Sequence, residues 1–123
     1  MEPIKLSDFN RIYMVKQFES ELNDLLAGSS LSAPFRTWFI DVLMLIDKTT
    51  VQDAIAQWPR RIEHIEGNIY AITFRKKEKN IRVLFASMPE RIELLCCAFE
   101  EKRSNDYLRA VKLAKQRSEG IQK

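Results

Sequence analysis

Between residues 68 and 99 the chain alternates three apolar runs with two polar breaks, and the rest of the sequence is organised around them. Residues 69–74, 81–86 and 91–99 are rich in β-branched and aromatic side chains, which suit a pleated, half-buried surface better than a helix. Residues 75–80 are too hydrophilic to bury and close the first two runs into an antiparallel hairpin. Residues 87–90 make the second turn, where Pro89 presets φ and cannot donate to a ladder. In the third run Leu94, Leu95, Cys96, Cys97 and Ala98 are apolar on both faces, which predicts a strand covered on both sides rather than an edge.

The flanking segments follow a helical period instead. After a polar start, residues 11–18 are short and β-rich; a first strand is favoured over the start of a helix. Residues 19–27 carry acids in the first turn, with Leu22, Leu25 and Leu26 on one face, and Gly28 ends the helix as a C-cap does. A second helix over 33–48 tolerates Pro34 in its first turn. It presents Phe35, Trp38, Phe39, Val42, Leu43, Leu45 and Ile46 as a wide apolar face, so it is expected to be the main helix packed on the sheet. Thr49 or Thr50 caps a short turn over 51–58 that stops at Pro59. Arg60, Arg61 and then Ile62 and Ile65 around His64 lead by way of Gly67 into the meander. A last amphipathic helix over 105–117, capped by Ser104 or Asn105, is expected to bury Leu108, Val111 and Ala114. The order is β-α-α-β-β-β-α: an α+β fold with a small antiparallel sheet and helices on one face and one end.

With 123 residues the chain is expected to be a single domain, 1–123, with one core that needs no disulfide or metal. No stretch approaches the roughly 20 apolar residues needed to span a bilayer, and the first ten residues lack an apolar signal core; the expectation is a cytoplasmic protein with no membrane partner. Cys96 and Cys97 are neighbours on a strand, expected to point to opposite faces, to stay unpaired and to be buried. His64 is the sole histidine, so no plausible spacing of ligands makes a metal site. The net charge of +3 is uneven. Residues 1–58 hold five Lys or Arg against eight acids, and residues 59–123 hold fifteen against nine. A basic half beside an acidic one suggests a surface that meets polyanions, nucleic acid first among them.

From Pro59 to Lys115 the chain resembles the HigB-like, phage-derived branch of the RelE/ParE superfamily, the toxin half of bacterial type II toxin-antitoxin pairs. IEHIEGNIYAITF is similar to that branch's histidine-bearing segment and "lyElR" strand, with Tyr70 and Ile72 in register and Arg75 just beyond. NIRVLF matches its "yRvly" strand, with Arg82 at the arginine. ERIELLCCAF matches "ivlLhgF", with Phe99 at the phenylalanine, and Ala114 falls at the family's alanine. The chain differs in having Ala71, Ile72 and Thr73 at "ElR", Cys96 at the histidine of "LhgF", Glu101 and Lys102 at the two lysines of the basic loop, and Tyr107 at its proline.

The resemblance implies a RelE-like fold and a metal-independent, ribosome-dependent mRNA endonuclease that needs no cofactor. Such chemistry activates a 2′-OH, neutralises the phosphorane with cations and delivers a proton to the leaving 5′ oxygen. Arg82 is the candidate for the phosphate, since its planar fork matches phosphate oxygens; the alternative is an arginine bridging the sheet surface to a helix carboxylate. Lys102 is a second catalytic candidate. His64 is a third, as the only side chain with an unperturbed pKa near neutrality. Arg75, Arg103, Tyr107, Arg60 and Arg61 are candidate RNA contacts, Tyr107 by stacking on a base. Tyr70 is expected in the core. The implied partners are mRNA on the ribosome and a cognate helix-turn-helix, HigA-like antitoxin. A gyrase-targeting ParE-like toxin and a toxin fold that only binds are the alternatives.

Overall fold

The computed structural model describes residues 3–76 and 79–122. Met1 and Glu2 of the polar start, and Lys77 and Glu78 of the predicted hairpin turn, lie outside them. The elements run β1 (Ile4–Lys5), β2 (Ile12–Met14), α1 (Phe18–Leu26), α2 (Ser32–Lys48), α3 (Val51–Gln57), β3 (Ile62–Glu66), β4 (Ile69–Arg75), β5 (Asn80–Met88), a 3-10 turn at Pro89–Arg91, β6 (Ile92–Glu100) and α4 (Ser104–Gln122). Six strands form one sheet in the order β1-β2-β6-β5-β4-β3.

The meander read from the sequence is the centre of this sheet. Tyr70 stands opposite Phe85, Ile72 opposite Val83 and Phe74 opposite Ile81. β6 lies between β5 and β2 and is buried from Glu93 to Cys97, as its two-faced apolar run requires. Two short strands were not expected. β1 is a two-residue edge, and β3 pairs antiparallel with β4 through Ile62↔Ile72, Glu63↔Ala71 and His64↔Tyr70. The register shifts between His64 and Glu66, which breaks the period-2 pattern that would have announced β3. Gly67 turns the β3–β4 hairpin at φ 54°, a left-handed conformation that costs glycine little.

The sheet is mixed rather than wholly antiparallel, because β2 runs parallel to β6. The chain can return parallel because it crosses over through three helices and the meander before β6 forms. Where β2 stops at Met14, Val15 still donates its N–H to Leu95 O, and α1 then flanks the rest of β6. Gly28, at φ 69°, follows the last turn of α1, as its predicted C-cap role requires.

The register separates the two faces. Phe74 packs against Phe35 and Trp38 of α2, with ring centroids 5.3 and 4.9 Å apart, so α2 covers the face that carries Tyr70, Ile72 and Phe74. Phe35 is fully buried there, in contact with Trp38, Phe39 and Phe74. Tyr70, stacked on Phe85, belongs to the core as expected. α3 joins this face: Gln52 donates to the Tyr70 hydroxyl, and Thr50 caps the helix by accepting from the Asp53 N–H.

α4 covers the opposite face, so the helices do not lie on one face and one end. Its Tyr107 meets Phe99 edge-on, and the Cys97 thiol donates to Ala110 O. Its buried stripe is Ala110, Val111, Ala114 and Ser118. Leu108, expected in that stripe, is 65% exposed, because burial at 107, 110, 111, 114 and 118 follows the 3.6-residue period, which a strict three-residue spacing drifts away from. Arg117 ties α4 to α1 by a bidentate pair with Glu21, at 2.8 and 2.6 Å, and also donates to Cys96 O.

Cys96 and Cys97 are free and buried. The β5–β6 register pairs Leu84 with Cys97 and Phe85 with Leu95, leaving Cys96 as the extra residue of a bulge. The simple alternation assumed for the pair is therefore broken at this point. Burial pushes both thiols up to about 12.

Candidate functional site

Arg82 sits mid-strand in β5, opposite Thr73 and Phe99, on the α4 face. A cation in an otherwise apolar strand must find partners, and Arg82 has three. Its Nη1 donates to Glu63 Oε1 at 2.9 Å, its Nε donates to Glu101 Oε1 at 3.0 Å, and its guanidinium lies over the Tyr107 ring, 4.9 Å from the centroid. The side chain is only 12% exposed. Burial, with Glu63 close by, raises the Tyr107 hydroxyl above the ordinary tyrosine range despite the opposing charge of Arg82.

The loop from Glu101 to Arg103 is held against the hairpin end by Glu101 N–H, which donates to Asn80 O. Asn80 in turn pairs with Arg75. Arg75, Lys102 and Arg103 are thus brought to the same end of the sheet as Arg82, as the sequence suggested. Helix α4 starts on a reach-back cap: Asp106, at its third position, accepts from the N–H groups of Lys102 and Arg103 at 3.1 and 3.0 Å. Those two bonds hold the Asp106 carboxyl below the usual range and fix the backbone of both basic residues. The expected caps were Ser104 or Asn105, but the carboxylate one turn into the helix does the capping.

Charge balance at this end differs from a purely basic groove. Lys102, whose side chain is 70% exposed, lies 3.8 Å from Glu100. Lys79 lies 4.0 Å from the same carboxylate and donates to Leu25 O at the end of α1, where a cation suits the helix dipole. Lys115 of α4 pairs with Glu66 of β3. Arg75 and Arg103 are exposed and make no ion pair among the described residues.

His64 is not part of this constellation. It stands opposite Tyr70, its ring 5.0 Å away, on the α2–α3 face, while the neighbouring Glu63 faces Arg82. Its Nε2 lies 2.7 Å from Gly67 O, a local turn contact. Strand alternation separates the two side chains: residues 63 and 64 of one strand must face opposite sides. Arg61 belongs to the His64 side as well, with its guanidinium over Trp58 at 4.8 Å and near Trp38 at 6.0 Å. Arg60 is exposed in the turn after α3. The eight candidates therefore fall into two groups, Arg82 and Tyr107 in contact on the α4 face with Arg75 and the loop of Lys102 and Arg103 at the same end of the sheet, and His64, Arg60 and Arg61 elsewhere.

Sequence reasoning did not find Glu63 and Glu101 as the partners of Arg82. The signal was faint: Glu63 becomes visible only once residues 62–66 are read as a strand, and Glu101 only as the departure at a lysine position. Among the described residues no group of three or more His, Cys, Asp and Glu is placed to hold a metal ion, and no helix is long and apolar enough to cross a membrane.

The model of the phage-derived Gp49-like protein family (DUF891) matches residues 30–119, from the turn before α2 through most of α4. No curated protein matches the chain. The match contains every residue of the Arg82 end and extends over well more than half of the sequence. The chain therefore belongs to the phage-derived Gp49-like family, a family of RelE toxin type.

Proposed function

We propose that this chain is the toxin half of a type II toxin-antitoxin pair, of the HigB-like branch, and that it cuts mRNA on the ribosome. The observation that carries the reading is the convergence of Arg82, Tyr107, Arg75, Lys102 and Arg103 at one end of the sheet. Arg82 takes the scissile phosphate with its fork, and Tyr107 offers a ring to a neighbouring base. A phosphate arriving there displaces Glu63 or Glu101 from the guanidinium. The freed carboxylate accepts the proton of the 2′-OH as that oxygen bonds to phosphorus. The bond to the 5′ oxygen breaks, and the ammonium of Lys102 gives that oxygen its proton. His64, on the other face, takes no part in this step. A helix-turn-helix, HigA-like antitoxin would silence the protein by covering this end.

A second reading has its own support. Arg82 already holds two carboxylates, one from β3 and one from the loop after β6 rather than the helix carboxylate expected as the alternative, and this favours a toxin fold that binds a partner without cleaving RNA. Purified chain added to a reconstituted translation reaction separates the two. Under the nuclease reading, new in-frame 5′ ends arise on translated messages only and are lost with Lys102→Ala. Intact messages under continued binding to ribosomes would favour the second.

A further inference from the structure

On the α3 side of the sheet, away from every residue of the Arg82 end, a cavity of about 280 Å³ opens between the start of α3 and the start of β6. Its floor holds Glu93, 3% exposed. Glu93 Oε1 accepts from the Ser87 hydroxyl at 2.9 Å, while Oε2 is buried and has no hydrogen-bond partner among the described residues. A buried carboxylate oxygen left without a donor is costly, and the residue that carries it lines an open pocket.

The neighbouring arginines spend their N–H groups on backbone carbonyls and not on Glu93 Oε2. Arg11 lines the pocket, but its guanidinium is committed to the carbonyls that end α2, with Nη2 2.7 Å from both Ile46 O and Thr49 O. Arg91 stands exposed on the pocket wall and spends one N–H on Thr49 O at 2.9 Å. It is held there by a strained turn: Glu90 and Arg91 have φ of 66° and 63°, a left-handed pair normally given to Gly or Asn. Tyr70, with its hydroxyl held by Gln52, supplies an aromatic wall. Few polar groups converging on a largely apolar concavity is the usual composition of a small-molecule site.

We propose that this pocket binds a small molecule that presents a planar pair of N–H donors to Glu93 and an anionic group to Arg91. The free lone pairs of the carboxylate accept such a pair in its own plane. A guanine edge on a nucleotide and the guanidinium of a free amino acid share this chemistry. Burial pushes the Glu93 carboxyl up to about 7, against the pull of Ser87, Arg11 and Arg91, so near neutrality a ligand with N–H donors selects the ionised form.

The test is an NMR titration of the full chain with GMP, AMP, L-arginine and agmatine. GMP or L-arginine should shift the amide signals of Gln52, Ser87 and Glu93, and which of the two does so identifies the source of the donors. AMP, lacking the donor pair, and agmatine, lacking the anion, should bind at least about tenfold more weakly, the loss expected for a charge-assisted hydrogen bond. Glu93→Gln keeps the shape, and Arg91→Asn keeps the left-handed turn; each should weaken binding by a similar factor with the native amide pattern preserved. Absence of shifts with both GMP and L-arginine at millimolar concentration overturns the proposal. Binding undiminished in Glu93→Gln does so as well.

Discussion

The guanidinium of Arg82 lies over the ring of Tyr107, 4.9 Å from its centroid, and thereby links the central hairpin to the first turn of α4. This contact separates two roles for the tyrosine. Tyr107→Phe keeps a ring for Arg82 and for a base, so binding of a short single-stranded RNA should change little. Tyr107→Ala should weaken it by about tenfold, the worth of one stacked base, in a fluorescence anisotropy titration.

Removing Arg82 leaves Glu63 and Glu101 facing each other without a cation. Arg82→Ala should lower stability in urea denaturation by about 1–3 kcal/mol, since both carboxylates are partly hydrated and recover some solvation. In the Glu63→Gln, Glu101→Gln background the same change should cost less. An equal cost in both backgrounds would mean that packing on Tyr107, not charge, holds Arg82.

Glu93 gives stability a pH dependence with a definite sign. Its folded pKa, about 7, lies above the unfolded value of 4.5, so its neutral form is favoured by folding. The contribution is fully present below pH 4.5 and is lost as pH rises to about 7, amounting to about 3 kcal/mol in all. Glu93→Gln should flatten the melting temperature between those limits and raise it at pH 8. A wild-type profile that rises through this window, with Glu93→Gln unchanged, would contradict the assignment.

The two thiols, pushed up to about 12 by burial, should resist alkylation by iodoacetamide at pH 8 while the chain is folded, and both should react in denaturant. Rapid native-state labelling of either would mean that the β5–β6 bulge opens.

The meander, the two-sided burial of β6, the Thr50 and Gly28 caps and the aromatic face of α2 were legible because each rests on local composition or on a clean period. β3 was not, because its register shift places Ile62 and Ile65 off the alternation. Nor was the parallel pairing of β2 with β6, which depends on a return across the whole chain. In the candidate site, the approach of Arg75 to the loop of Lys102 and Arg103 followed from hairpin geometry, whereas the contact of Tyr107 with Arg82 depends on where α4 packs. The exclusion of His64 required knowing that Glu63, its neighbour, faces Arg82. The Glu93 pocket left no trace in the pattern, since a glutamate two residues into an apolar strand reads as an ordinary strand end.

Cleavage of messages through the Arg82 fork is tested by inducing the chain in a bacterial host and mapping message 5′ ends beside growth, for the native protein and for Arg82→Lys, which keeps the charge and loses the fork. Growth arrest with in-frame cuts is expected for the native chain, and loss of both with Arg82→Lys while the protein remains folded. Arrest without cuts, or cuts that persist in Arg82→Lys, would contradict it.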